Sequence, residues 1–195
     1  MNRKHIKNIQ NLQKKWKIYT YSQFFRYETE SDDIAKCITS DNSKNKYLFM
    51  TFRLSNPAKE RELTNFLYPQ FLQLSINLPE INNPQLNSIR NSPYVAVAGF
   101  TSAAHNKYRF FVPVTCDNFA ELSPTDKINA YTRLYYELFE YFENEVGLTS
   151  LHKGINNINQ CFRPLFHDEY FFNNISSVKI YYKSNIISPV QPGKK

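Results

Sequence analysis

Residues 93–116 constrain this chain more than any other stretch. They read PYVAVAGF, TSAAHN and KYRFFVPVTC, with two apolar runs at 94–100 and 108–114. Runs rich in Val, Phe and Tyr, bounded by polar residues, form strands. The loop between them, 101–107, carries Ser102, His105, Asn106 and Lys107, so the pair reads as a hairpin. In the second run Phe110, Phe111 and Val112 are contiguous, which predicts a strand covered on both faces in the middle of a sheet. Arg109 is the odd residue inside it. A buried charge needs an opposite charge or an anionic ligand, because leaving it unpaired is strongly destabilising. A loop with His105 and Lys107, followed by Arg109 on a strand, suits phosphate. The plainer alternative is a hairpin whose Arg109 pairs with a nearby Glu or Asp.

The rest of the chain reads as alternating strands and helices. Ile6, Ile9, Leu12 and Trp16 fall at helical spacing among lysines, predicting an amphipathic helix over 2–17. Residues 18–27 are aromatic and strand-like. Ser31-Asp32-Asp33 opens a short helix to Cys37, with Ser31 as its cap. Residues 46–54, KYLFMTFRL, form a strand. Asn56-Pro57 starts a helix to about Leu67, and 68–78 suits a second, short helix. Residues 77–92, with two Pro and five Asn, read as a long loop. The clearest helix begins at Ser123-Pro124-Thr125-Asp126 and stops at Gly147, with Ile128, Tyr131, Leu134, Tyr135, Leu138, Phe142 and Val146 on its apolar face. Residues 148–160 are a polar loop, and 161–166 and 178–182 are strands. The order implies an α+β fold: a mixed, mostly antiparallel central sheet with helices packed on it. Residues 1–187 make one domain, divided into an N-terminal part (1–45) and a core (46–187), and 188–195 form a flexible tail.

Composition narrows the function. The 195 residues carry a net charge of +7, which favours polyanionic partners. Cys37, Cys116 and Cys161 are widely spaced with no C-x-x-C, which fits a reducing cytoplasm and argues against a zinc ribbon. No apolar stretch nears the ~20 residues of a membrane span, and no signal peptide is visible. The four His show no zinc-ligand spacing. A Gly-rich phosphate loop is absent, which weighs against an NTPase or dinucleotide-binding domain.

The string TSAAHNKYRFFVPV, then the long helix, then NQCFRPLFHDEYFFNN, resembles the archaeo-eukaryotic primase superfamily, closest to the primase–polymerase domains of plasmids and phages. The likeness covers roughly 46–174. It implies a primase–polymerase-like fold, with His105 at the family's phosphate-binding histidine and Arg109 at its strand arginine. Ser102 lies one residue further from His105 than the family's serine does. Arg163 falls in the family's Arg-containing strand. The metal-binding carboxylates do not follow. Thr51 and Arg53 stand where the first motif carries its acids, and SLHKGINN, where the third motif's Asp belongs, has no carboxylate. Two-metal phosphoryl transfer needs hard oxygen ligands around Mg or Mn, and Arg53 would repel the ion.

The expectation is therefore a nucleic-acid- or nucleotide-binding protein tied to replication of a mobile element, with no catalytic residues, no metal ligands and no cofactor. Its binding set is Ser102, His105, Lys107, Arg109 and Arg163. Protein partners in a replication complex are compatible with it, and a membrane is not. One alternative is an active primase–polymerase using Mg or Mn through acids placed elsewhere, such as Asp32, Asp33, Asp168 or Glu169. The other is a protein-interaction module whose basic charge is incidental.

Overall fold

The central strand is β10 (Lys107–Cys116), and the largest sheet is assembled around it. This is a computed structural model, and it describes residues 6–10, 16–21, 26–31, 39–40, 48–50, 52–59, 61–77, 83–101, 107–116, 118–149, 151, 158, 161–162, 165–166, 170–172 and 178–182. The strands before β10 are β1 (Ile6–Gln10), β2 (Trp16–Tyr21), β3 (Arg26–Ser31), β4 (Thr39–Ser40), β5 (Leu48–Met50), β6 (Phe52–Leu54), β7 (Phe66–Pro69), β8 (Phe71–Asn77) and β9 (Val97–Phe100). After it come β11 (Cys161–Phe162), β12 (Leu165–Phe166), β13 (Tyr170–Phe172) and β14 (Val178–Tyr182). Two α-helices, α1 (Asn83–Asn91) and α2 (Pro124–Asn144), complete the described framework.

β10 has neighbours on both edges. It runs antiparallel to β8, from Lys107 opposite Asn77 to Pro113 opposite Phe71. It also runs antiparallel to β9, with Arg109 opposite Gly99. Its last residues, Val114 to Cys116, pair in parallel with β14. β1 lies beyond β14 and β13 beyond β9, so six strands form one mixed, mostly antiparallel sheet. β11, β5, β2 and β3 make a separate four-stranded antiparallel sheet. The architecture is α+β, with the hairpin and the central strand as expected. Strands from the first 45 residues are woven into both sheets, through β1 with β14 and β2 with β5.

The core fills one face of the sheet. Leu72, Leu74 and Ile76 of β8 and Tyr108, Phe110, Val112 and Val114 of β10 project into it. Against them lies α2 through Ala130, Tyr131, Leu134, Leu138 and Phe142. The Phe110 and Phe142 rings meet edge-on with centroids 5.0 Å apart, a geometry that adds to plain area burial. The start of α2 is fixed as the sequence predicts: Ser123 Oγ accepts from the Asp126 N–H at 3.2 Å, and Pro124 stands in the first turn. At its end Gly147 takes φ +76°, a left-handed conformation that costs a glycine little.

Several segments depart from their sequence pattern. Within 2–17 the described residues form β1 and the first two residues of β2 instead of a helix, while the rest of β2 lies in the expected strand region 18–27. Isoleucine and asparagine are middling helix formers, and pairing with β14 and β5 provides a hydrogen-bonded ladder that a one-stripe helix lacks. β5 and β6 belong to different sheets, so 46–54 is not one strand. After Asn56-Pro57 only short 3-10 turns form, at Pro57–Lys59 and Leu63–Asn65. The expected second helix is instead β7 and β8. FLQLSIN alternates with a period of two, and that pattern outweighs the apolar density that resembled a helix. Within the expected long loop lies α1, with Pro84 in its first turn and Leu86 and Ile89 turned inward. Ile128 is 42% exposed, off the buried face of α2. Residues 161–166 are split between β11 and β12, and β13 forms in the aromatic segment that had no assignment. The expected helix over 31–37 lies outside the described residues, except that Ser31 ends β3. The tail 188–195 also lies outside them.

Candidate functional site

The alternation that sends Tyr108 and Phe110 into the core sends Lys107, Arg109 and Phe111 to the opposite face of the sheet. The register fixes their neighbours on that face. Lys107 lies opposite Asn77, Arg109 opposite Ser75, and Phe111 opposite Gln73. Across the other edge Arg109 meets Gly99 and Phe111 meets Val97, while the Thr101 N–H donates to the Lys107 carbonyl at 3.0 Å. This face is therefore divided. At one end Phe71, Val97 and Phe111 are wholly shielded from solvent. At the other, two cations stand among Asn77, Ser75, Thr101 and Gly99.

Charge and burial make the polar end unusual. Lys107 and Arg109 are two residues apart on an extended strand, so their backbones are separated by about 7 Å. Both are half-buried. The Lys107 ammonium is held below the ordinary lysine range, first by burial and second by the Arg109 charge beside it. Burial and a like charge both disfavour the protonated form. The register neighbours Asn77, Ser75, Gly99 and Thr101 are themselves uncharged. Ser75 is only 4% exposed, so this corner is built into the sheet and does not hang from it. Gly99, itself buried, stands opposite Arg109 in the register of β9.

The core side of the same strand holds the hairpin in place. Tyr108 is buried, and its ring meets Phe100 edge-on at 5.0 Å. Burial raises its phenol, while Arg90 at the end of α1 acts in the opposite direction. The Tyr108 hydroxyl is buried and makes no hydrogen bond among the described residues.

Of the five residues the sequence singled out, the structure describes Lys107 and Arg109 and brings them together. Ser102, His105 and Arg163 lie outside the described residues, as do Asp32, Asp33, Asp168 and Glu169. Arg53 is on β6 and pairs in register with Tyr68 of β7. Ser75, Asn77, Thr101 and Gly99 were not anticipated. The signal for the first two was the two-residue period of FLQLSIN, which places Gln73, Ser75 and Asn77 on the face away from the core. Among the described residues no three His, Cys, Asp or Glu gather in a way that could hold a metal ion. Ile128 and Tyr136 are the exposed large apolar side chains among them, and single exposed residues of this kind are ordinary. No described helix is long and apolar enough to cross a membrane. No protein-family model, curated protein or solved structure matches this chain.

Proposed function

We propose that this protein binds nucleic acid or nucleotides through their phosphates, at the polar end of the β8–β10–β9 face. In this reading it is a primase–polymerase-like domain whose metal-ligand positions carry other residues, tied to the replication of a mobile element. The observation that carries the reading is the pairing of Lys107 and Arg109 on one face of the central strand, among neutral hydrogen-bond donors. Arg109 presents a planar fork suited to phosphate oxygens, and Lys107 adds a compact charge. His105, two residues before β10 in the sequence, is the third donor of this reading. The net charge of +7 draws polyanions to the surface.

Arg109→Ala tests this directly. Removing a charged hydrogen-bonding partner weakens binding by about 1–3 kcal/mol, so oligonucleotide or nucleotide affinity falls while the melting temperature holds. If Arg109 serves the fold alone, the variant melts early and binds normally once folded. His105→Ala is the control: it lowers affinity with little effect on stability. Normal binding by both variants would overturn the proposed site.

A further inference from the structure

The outer face of α2 carries a charge opposite to that of the chain as a whole. Residues 119–149 hold six acids and two bases, so the surplus of +7 lies elsewhere in the sequence. Arg133, Tyr136, Glu140 and Glu143 are all exposed on this face. Helical spacing puts Tyr136 at the middle of the exposed arc, with Glu140 one turn on and Glu143 two turns on. Arg133 pairs with Glu137 at 3.1 Å. The Glu140 and Glu143 carboxylates have neither an ion pair nor a hydrogen bond among the described residues. We propose that this face docks an arginine-bearing basic segment of another protein. The inference does not rest on phosphate binding, since Lys107 and Arg109 lie on the face of the sheet that α2 does not cover.

Exposure of Tyr136 alone would carry no meaning; its neighbours give it one. The two acids work against the helix that carries them. Both stand in the last two turns of α2, where the dipole disfavours negative charge, and the last turn holds no base to offset them. Glu140 is also three residues from both Glu137 and Glu143, a spacing at which like charges repel. A cationic partner reverses both effects, and the same acids repel nucleic acid. The ring beside them favours arginine among the cations. Tyr136 is 47% exposed, and it is braced by the nearly perpendicular Tyr135 ring, with centroids 5.7 Å apart. A guanidinium lies flat on such a ring and forks onto a carboxylate, whereas an ammonium does neither as well. Glu140 and Glu143 lie about 6 and 10 Å along the helix from Tyr136, so one short segment with two arginines reaches all three.

The full chain is titrated at low salt with three labelled octapeptides, in which alanine alternates with arginine, lysine or serine. The arginine peptide is expected to bind despite the like net charge of the chain. The lysine peptide is expected to bind about threefold less tightly, and the serine peptide not at all. Replacing both acids, Glu140→Gln with Glu143→Gln, is expected to weaken the arginine peptide about fivefold, the worth of two exposed ion pairs. The melting temperature of that variant is expected to hold or rise, because the dipole and like-charge penalties go with the acids. Tyr136→Ala is expected to bring the arginine peptide down to the lysine level. Arginine-peptide affinity that is unchanged by the double glutamine variant overturns the docking face. Equal affinity for the arginine and lysine peptides overturns the choice of arginine. Oligonucleotide affinity is not expected to weaken in the glutamine variant, so failure of this face and failure of the phosphate site are read separately.

Discussion

Two lysines are held with their charges partly or wholly out of water, and they do different work. Lys107 lies at the candidate site. Lys127, on α2, is only 2% exposed; its Nζ donates to the Leu63 carbonyl at 3.1 Å and lies 6.0 Å from the Phe119 ring centroid. Burial lowers the Lys127 pKa from 10.5, so in the window below that value the unfolded chain binds more protons than the folded one. Stability then rises with pH from the folded pKa toward 10.5, and the burial cost is fully present at neutral pH. The Leu63 carbonyl also accepts from the Phe66 N–H, so removing the ammonium does not orphan it. Lys127→Met, a swap of similar volume, is therefore expected to keep or raise the melting temperature at pH 7 and to flatten its rise with pH, read below pH 10.0. The upper limit matters because burial raises the Tyr131 and Tyr108 phenols above 10.0, which costs stability at higher pH. A marked early melt for Lys127→Met would show that the tie to Leu63 and Phe119 outweighs the buried charge.

The elements are held by signals of unequal clarity. α2 has both ends written locally, and each can be removed. Ser123→Ala deletes the cap to Asp126 and is expected to cost about 1 kcal/mol. Gly147→Ala forces a Cβ onto a backbone at φ +76°, where nothing lies within 4 Å of it. The cost there is conformational only, about 1–2 kcal/mol. Chemical denaturation of the two variants checks both figures, and a silent Gly147→Ala would mean that the helix end relaxes. α2 and the hairpin were legible because cap, proline, apolar stripe and stop agree with one another. β8 was less so, since the apolar density of FLQLSIN masks its two-residue period until pairing with β10 is seen. β1 was hidden for the same reason: its partner β14 lies far away in sequence. β2, which pairs with the neighbouring β3, overlaps the strand expected over 18–27. The site was legible to the same degree. Lys107 and Arg109 stood out as charges within an apolar run, whereas Ser75 and Gly99 gain meaning only from the register that sets them beside Arg109.

At the scale of the whole molecule, a net charge of +7 and one localised cation pair make different claims about binding. A diffuse basic surface contacts many phosphates and releases many counterions, so its affinity falls steeply with salt. A confined corner does so gently. On single strands the logarithm of affinity falls by roughly 0.7 for each phosphate neutralised per logarithmic unit of salt. If Lys107 and Arg109 each meet one phosphate of the strand, the slope is expected to be about −1.4, and Lys107→Met is expected to bring it to about −0.7. A slope several times steeper, unchanged in Lys107→Met, would move the interface from this corner to the basic surface at large. A flat dependence would deny phosphate contact altogether and favour a protein partner. Titration of one labelled single strand at a series of salt concentrations separates the three outcomes. The slope counts charges that meet phosphate whatever the sequence of the strand, so it tests the interface without any assumption about its biological ligand.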